Sequence, residues 1–345
     1  MLPAIPVFLN PLRIHALGGG LLLAVTNLVA CGKGTDAPST AAGTATATAT
    51  ASASASASAS ASASASASAS ASAAASLSAS ATASAEAPVD MAPVPGGTFT
   101  MGADTGGEQD EHPAHSVTID PFFLDKTEVT QEAYAECVTA GVCRAQSEVV
   151  QGVYPGSKGP KKPVNGVAWD DATAYCTWRH KRLPREAEFE RAVRDDDGRR
   201  FPWGNDKPSP DKTVYNRKIG PNPGQTTDDV GTHPLGRGPY GQDDMAGNVW
   251  EWQSDLYDPY AYRRAGAPHG EPGTCDDIMA ALNDLRAQGK QGFTGTNPIP
   301  TECEHSIRGG AFNYPPEGLR STNRVHHPGR YRIPMLGFRC AKDAK

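Results

Sequence analysis

Residues 244–252 read Asp244-Met245-Ala246-Gly247-Asn248-Val249-Trp250-Glu251-Trp252, with a carboxylate on each side of a Gly-Asn turn and two tryptophans at its exit. The tryptophans draw such a turn toward a core, and two carboxylates carried there without a partner repel each other and are costly to bury. Calcium takes roughly six to eight hard oxygens, and one carboxylate entering, another leaving and carbonyls between them supply several. The segment therefore reads as a cation-supporting turn, against the alternative of a solvated acidic turn packed by Trp250 and Trp252.

Working outward, Val94-Pro95-Gly96-Gly97 is a turn, and Thr98–Met101 then alternates apolar and polar side chains as a strand does. Ser116 to Asp120 alternates again, with Val117 and Ile119 inward. Thr130 is placed to cap a helix that carries Tyr134, Cys137 and Val138 on one face and ends at Gly141. A second helix is predicted from Asp170, burying Ala174, Tyr175 and Trp178 and closing on Arg179, His180 and Lys181 beside its negative end. A third is predicted from Pro184, with Glu186 and Glu188 near its positive end and Phe189, Ala192 and Val193 as its apolar stripe. A long insertion lies between Ser254 and Ser306, where Asp276 should cap an amphipathic stretch with Ile278, Met279, Leu282 and Leu285 that Gly289 closes.

The N-terminal part has a different character. An apolar run from Leu17 to Ala30 is too short to span a bilayer comfortably and reads as a secretory signal. It ends in Leu28-Val29-Ala30-Cys31, which resembles a lipobox, so Cys31 is expected to be lipidated and to become the mature N-terminus. Residues 31–87 are mostly Ala, Ser and Thr and offer nothing to bury, which makes them a flexible linker between the anchor and a globular region at 88–345. The chain is expected in the cell envelope, lipid-anchored outside the cytoplasm. A net charge of −6 argues against nucleic acid as a partner. The 36 glycines and 29 prolines, mostly in the globular region, indicate a loop-rich domain and not a helical bundle.

With Cys31 assigned to the anchor, Cys137, Cys143, Cys176, Cys275, Cys303 and Cys340 remain, an even set that suggests three disulfides in an oxidising compartment while leaving many pairings open. Cys137 and Cys143 flank a short turn and form the obvious local pair; Cys275 and Cys303 bracket the insertion, which has little core of its own.

Pro95-Gly96-Gly97-Thr98-Phe99-Thr100-Met101-Gly102, Glu128-Val129-Thr130, Arg182-Leu183-Pro184-Arg185-Glu186-Ala187-Glu188-Phe189-Glu190, Phe201-Pro202-Trp203-Gly204 and residues 246–252 follow one another in this order. With Arg308-Gly309-Gly310 and Gly337-Phe338-Arg339-Cys340-Ala341, they make the region from Pro88 onward similar to the formylglycine-generating enzyme (sulfatase-modifying factor) family. That resemblance implies a single α+β domain of the C-type-lectin-like class, with little regular secondary structure and bound calcium. It implies calcium ligands at the side chains of Asp244 and Glu251 and the carbonyls of Gly247 and Val249, a second site that includes Asn216 near Asp228-Asp229, and a Cys176–Cys340 disulfide.

The family's enzymes oxidise a substrate cysteine with copper and oxygen and hold the copper between two cysteines beyond the Arg-Gly-Gly strand. By resemblance those positions are Tyr314 and Leu319 here, and Ala311 stands where a serine is usual. Neither side chain replaces a thiolate, the soft ligand that Cu(I) prefers. The resulting expectation is a calcium-stabilised binding module that takes a peptide, protein or glycan and has lost copper-dependent formylglycine formation, with no catalytic residue assigned. The alternative is an oxidase or oxygenase using non-haem iron or copper on a sulfur-containing or peptide substrate, with His326 and His327 converging with His305 or Glu317. Histidines that merely lie in surface loops are the plainer reading of that set.

Overall fold

The computed structural model describes residues 88–148, 154–218, 226–263, 273–288 and 300–344. The signal, Cys31, the Ala/Ser/Thr linker and the helix-closing Gly289 lie outside the described residues.

The chain enters through β1 (Met91–Val94) and β2 (Gly97–Met101), followed by β3 (His115–Ile119) and β4 (Phe122–Asp125). β2 and β3 pair antiparallel as their alternation predicts, with Phe99 opposite Val117 and both buried. β4 sits between β1 and the C-terminal strand β9 (Ala341–Asp343), so the two ends of the domain close on one sheet. A second sheet has the order β7-β6-β5-β8, from Val325–His327, His305–Arg308, Trp250–Leu256 and Leu336–Gly337; only the β5–β8 pair is parallel. Among the described residues, the α+β fold also has the helices α1 (Gln131–Thr139), α2 (Trp169–Trp178), α3 (Glu186–Arg194) and α4 (Cys275–Ala287).

Helix α1 begins where its sequence predicts, the Ala133 N–H donating to Thr130 Oγ1 at 3.2 Å. The other three depart from expectation. In α2, Ala172, Tyr175 and Cys176 share the buried face, whereas Ala174 and Trp178 are only half-buried. Spacings of three and four residues put the first set on one side of the helix, and the disulfide at Cys176 fixes that side inward. Arg179 covers the Trp178 ring, 5.3 Å from its centroid. Pro184 stays outside α3 because its carbonyl accepts the β5 N–H of Ser254 at 2.9 Å; Glu188 instead folds back to accept the Arg185 N–H at 2.8 Å. In α4 the cap is Thr274, not Asp276: Thr274 Oγ1 accepts the Asp277 N–H at 3.3 Å and Asp277 returns the bond to the Thr274 N–H.

Two large buried clusters and a small third one form the interior among the described residues. One packs Tyr134, Tyr175, Trp250, Trp252 and Phe338 around the Cys176–Cys340 disulfide; the other joins Phe99, Val117, Leu124, Phe189 and Met245. The disulfides are Cys137–Cys143, Cys176–Cys340 and Cys275–Cys303, which matches the two local pairs read from spacing and the long-range pair implied by resemblance.

Cys176 and Cys340 are 164 residues apart in sequence, so their bond restricts the unfolded chain over most of the domain. Replacing both with serine should cost about 2–5 kcal/mol in urea unfolding. An unchanged midpoint and slope would show that packing alone sets the stability there.

Candidate functional site

The turn at 244–251 is held open by backbone geometry that few residues tolerate. Asp244 (φ +56°), Gly247 (φ +88°) and Asn248 (φ +56°) are all left-handed. A Cβ on Gly247 would collide with Thr213 Oγ1 and the Val214 carbonyl, so the position requires glycine. Asn248 locks the turn: its N–H donates to Val214 O at 2.9 Å and its Oδ1 accepts the Asp228 N–H at 3.0 Å.

Beneath the turn lies a deficit of positive charge. Both oxygens of Glu251 accept from Arg339, at 2.7 and 2.8 Å, with neither side chain exposed. Asp244 Oδ2 accepts the Gly231 N–H at 2.6 Å. Glu128 is buried beside them, and among the described residues neither of its oxygens has a hydrogen-bond partner. Burial, and then the Asp244 charge, push the Glu128 carboxyl well above its ordinary range. Burial also raises Asp244, and raises Glu251 despite the opposing Arg339 charge. The sequence singled out Asp244 and Glu251 but not Glu128 or Arg339, although both stand in the quoted motifs. Nearby, the Asn216 N–H donates to Tyr314 O at 2.8 Å, while Asp228 is committed to Arg217 at 2.6 and 2.8 Å and to His233 at 3.0 Å. Among the described residues no group of three or more His, Cys, Asp or Glu side chains is arranged to hold a metal ion.

A second buried charge cluster ties α3 to the second sheet. Arg324 donates to both oxygens of Glu186 at 2.8 and 2.9 Å and lies between the rings of Tyr257 and Tyr262, 4.9 and 4.4 Å from their centroids. Arg308 pairs with Glu190 and donates to the Thr322 and Asn323 carbonyls. Burial works against the Glu186 charge, but Arg324 and Arg308 override it and bring the carboxyl down to about 2. Asp255, also on this side, accepts the Glu186 N–H at 2.8 Å and has no cation facing it; burial, then the Glu186 charge, raise it to about 7.

A cavity of about 620 Å³ opens beside the segment where the family's copper ligands would stand. Tyr314 is on its wall, edge-on to Trp250 with ring centroids 5.1 Å apart. Leu319 is buried with Phe201 and Ala246, and Ala311 is buried too. The six cysteines at 137–340 are all disulfide-bonded, so no thiol pair stands among the described residues. His305 and His327 stand opposite each other across the β6–β7 pair, but among the described residues the histidines and carboxylates make no group of three. His326 stacks on Tyr257 with centroids 4.0 Å apart and its Nδ1 lies 2.6 Å from Glu304 Oε2. His327 lies against Tyr331, with centroids 5.3 Å apart, and burial lowers its pKa. His305 stacks on Trp169 with centroids 4.0 Å apart, and burial takes its pKa down to about 4. Glu317 is exposed at the cavity rim. Glu304 is the wall residue that sequence reasoning missed; its only signal is that it follows Cys303.

Fold, motif order and turn geometry define a sulfatase-modifying-factor-type domain. Residues 77–344 match the sulfatase-modifying factor enzyme 1-like domain, and the chain belongs to that family. It is 33% identical over 303 residues to the inactive C-alpha-formylglycine-generating enzyme 2 of Bos taurus, covering 74% of this chain and 89% of that protein. It is 30% identical over 306 residues to the formylglycine-generating enzyme of Bos taurus, covering 74% and 75% respectively. The solved structure of PvdO from Pseudomonas aeruginosa matches with TM-score 0.54 and 25% identity, over 73% of this chain and 94% of that one.

Asp255 gives a pH test of the buried charge cluster. Its ordinary pKa is 3.8 and its folded value about 7, so between these the folded state holds more protons than the unfolded state. Its stabilising contribution is therefore complete below pH 3.8 and is lost as pH rises toward 7. Asp255→Asn keeps an acceptor for the Glu186 N–H. Comparing the variant with wild type cancels the opposite contribution of His305. Between pH 5 and 7 the wild type should lose stability relative to the variant by up to about 1.4 kcal/mol per pH unit. Parallel stability curves would show that Asp255 stays ionised in the fold.

Proposed function

We propose that this chain is a binding module of the sulfatase-modifying-factor type, held outside the cytoplasm by a lipid on Cys31, that has lost copper-dependent formylglycine formation. The observation that carries this reading is the pairing of an open cleft with Tyr314 and Leu319 at the thiolate positions. The likeness to an inactive formylglycine-generating enzyme supports it. The cleft is kept and its sulfur ligands are not, which suits recognition of a peptide, protein or glycan better than oxidation of one.

Purified protein given Cu(I), oxygen and a cysteine-containing sulfatase-type peptide should form no aldehyde, read as hydrazide-reactive product by mass spectrometry. Turnover of that peptide would overturn the loss of chemistry.

Calcium is the proposed structural cation, held by Asp244, Glu251 and the carbonyls of Gly247 and Val249, with Asn216 at a second position. Two of the four donors in the first set are backbone carbonyls. What supports a cation is the charge count: Glu128, Asp244 and Glu251 are buried around Arg339, and the Glu128 oxygens lack a partner. A divalent ion offsets that repulsion and accepts orphaned oxygens. Excess chelator should lower the melting temperature, and added calcium should restore it, the rise following the logarithm of the free calcium concentration above the dissociation constant. Asp244→Asn should weaken that dependence while the disulfides stay intact. A melting curve indifferent to both treatments would show that packing and Arg339 hold the turn alone.

The anchor is read from the Leu28-Val29-Ala30-Cys31 pattern. Among the described residues no helix is long and apolar enough to cross a membrane. Radiolabelled palmitate should enter the wild-type protein and not Cys31→Ala; absence of label in the wild type would remove the anchor from this reading.

A further inference from the structure

A smaller cavity, of about 220 Å³, shares Arg320 with the cleft and has a different chemistry. Arg194, Arg200 and Arg320 line it, and among the described residues no Asp or Glu does. Arg194 comes from the end of α3, Arg200 from the loop that follows, and Arg320 from the segment after Leu319. Gly106 and Gly107 form part of the rim, both left-handed at φ +71°, where a side chain is strained. A Cβ on Gly106 would meet nothing within 4 Å, so that side of the rim is open, and the His112 ring holds the loop with Nε2 at 2.6 Å from the Gly106 carbonyl.

The three guanidinium charges are unequally answered. Glu111 pairs with Arg320, whereas Glu190 pairs with Arg194 at 2.9 Å and must serve Arg308 as well. Arg200 lies over the Phe201 ring, 5.5 Å from its centroid, and makes no ion pair among the described residues. Acids close by in the chain are engaged elsewhere: Asp197 accepts from Arg199 at 2.7 and 2.9 Å, and Asp104 accepts the Ala114 N–H at 3.0 Å.

A second observation concerns donors and not charge. Arg194 is only 9% exposed, yet its Nε is buried without a partner among the described residues, and its Nη2 has only the Gly198 carbonyl on the cavity wall, at 3.4 Å. Arg320 donates to Glu111 and to the Glu317 carbonyl, and its Nε too is buried without a partner. A guanidinium carries several N–H donors and no acceptor, and a buried donor left unused costs its desolvation. The neighbouring hydroxyls are already spent, because Ser321 donates to the Arg199 carbonyl and Thr322 to Glu111. What the cavity offers an occupant is therefore guanidinium N–H groups.

We infer that this cavity binds a tetrahedral oxyanion, the phosphate or sulfate group of a small ester such as a sugar phosphate or sugar sulfate. Such a group has an oxygen for each guanidinium, and the planar forks of arginine match it. A carboxylate falls one oxygen short, a neutral sugar leaves the Arg200 charge unanswered, and a cation would add to it. The volume admits one such group with part of the ring or chain that bears it. The inference goes beyond the binding-module reading, since a catalytic or an inactive cleft on the other side of Arg320 would leave these donors unchanged.

Isothermal titration calorimetry of the purified full chain with glucose 6-phosphate, glucose 6-sulfate, glucose and acetate is the test, with inorganic phosphate and phosphatidate-containing vesicles as separate arms. The two esters should bind, more weakly at high salt, and glucose and acetate should not. Arg200→Gln, at an exposed position that leaves folding intact, should weaken the esters by up to about fivefold. Arg200→Glu should weaken them further, because it sets a like charge against the anion. Arg320→Lys keeps the charge that answers Glu111 and loses the fork, so it should weaken the esters while the melting temperature holds. Arg330→Gln, at an exposed arginine paired with Glu302 outside this cavity, should leave ester affinity unchanged.

Inorganic phosphate binding as tightly as the esters would keep the oxyanion chemistry and make a free anion its source. Binding of phosphatidate vesicles without either ester would replace the small molecule by a membrane surface and overturn the inference. So would failure of both esters to bind, equal binding of glucose or acetate, or ester affinity untouched by Arg200→Glu. An equal loss in Arg330→Gln and Arg200→Gln would reduce the effect to diffuse surface charge and overturn the site as well.

Discussion

The architecture depends on guanidinium groups buried against glutamates. Arg308 and Arg324 meet Glu186 and Glu190 at the side of α3, and Arg339 meets Glu251 under the 244–251 turn, with all three arginines fully buried. Burying such pairs is costly, and their attraction compensates only when the geometry is good and the remaining donors are used. Most are used here: Arg308 also reaches the Thr322 and Asn323 carbonyls, Arg324 reaches Asp110 O, and Arg339 reaches Asp125 O and Asp243 O, while Arg308 Nε stands 3.6 Å from Glu186 Oε1 without a hydrogen bond. Each guanidinium therefore crosslinks loops that have few backbone bonds of their own. Losing a glutamate from one of these pairs leaves a charge in the interior with nothing to answer it, a far larger penalty than the net worth of the pair.

That arrangement explains why so little regular structure suffices. Glu190 accepts the Gly102 N–H at 2.7 Å as well as Arg194 at 2.9 Å, so one carboxylate fixes the end of β2 and the flank of α3 together. Tyr257 donates to Asp110 at 2.6 Å and lies under Arg324, joining the loop after β2 to the exit of β5. Polar crosslinks do in this domain what long helices and wide sheets do elsewhere. Within the insertion, α4 is held by the Cys275–Cys303 disulfide and by the buried Ile278 and Leu282.

The parts legible in the sequence were those decided by local rules. Thr130 as a cap, the β2–β3 alternation and the two short-range disulfides each follow from residues near one another in the chain. The carboxylates at 244 and 251 were legible because a Gly-Asn turn flanked by acids and followed by two tryptophans has few physical explanations. What escaped was set by distant partners. The inward face of α2 is chosen by Cys340, which lies 164 residues beyond Cys176. Pro184 leaves α3 because β5 needs its carbonyl. Glu304 gains meaning only when β7 brings His326 beside it, and Glu128 only when Asp244, Glu251 and Arg339 surround it.

The crosslinks also account for how the Tyr314–Leu319 segment can vary apart from the rest of the fold. Tyr314 and Leu319 do not carry the buried pairs: Tyr314 leans on Trp250 and Leu319 packs with Phe201 and Ala246. Neither side chain takes part in a guanidinium–carboxylate bond. Arg320 on the cleft wall, with Thr322 and Arg324 behind it in the chain, is a different matter, because these residues are bound from within to Glu111, Asp110 and Glu186. The floor of the cleft is fixed by the same interactions that hold the domain together. The freedom left to the chain is at the rim and on the insertion side, at Glu304, Glu317 and Tyr331, where side chains can change what the cleft accepts without disturbing what keeps it open.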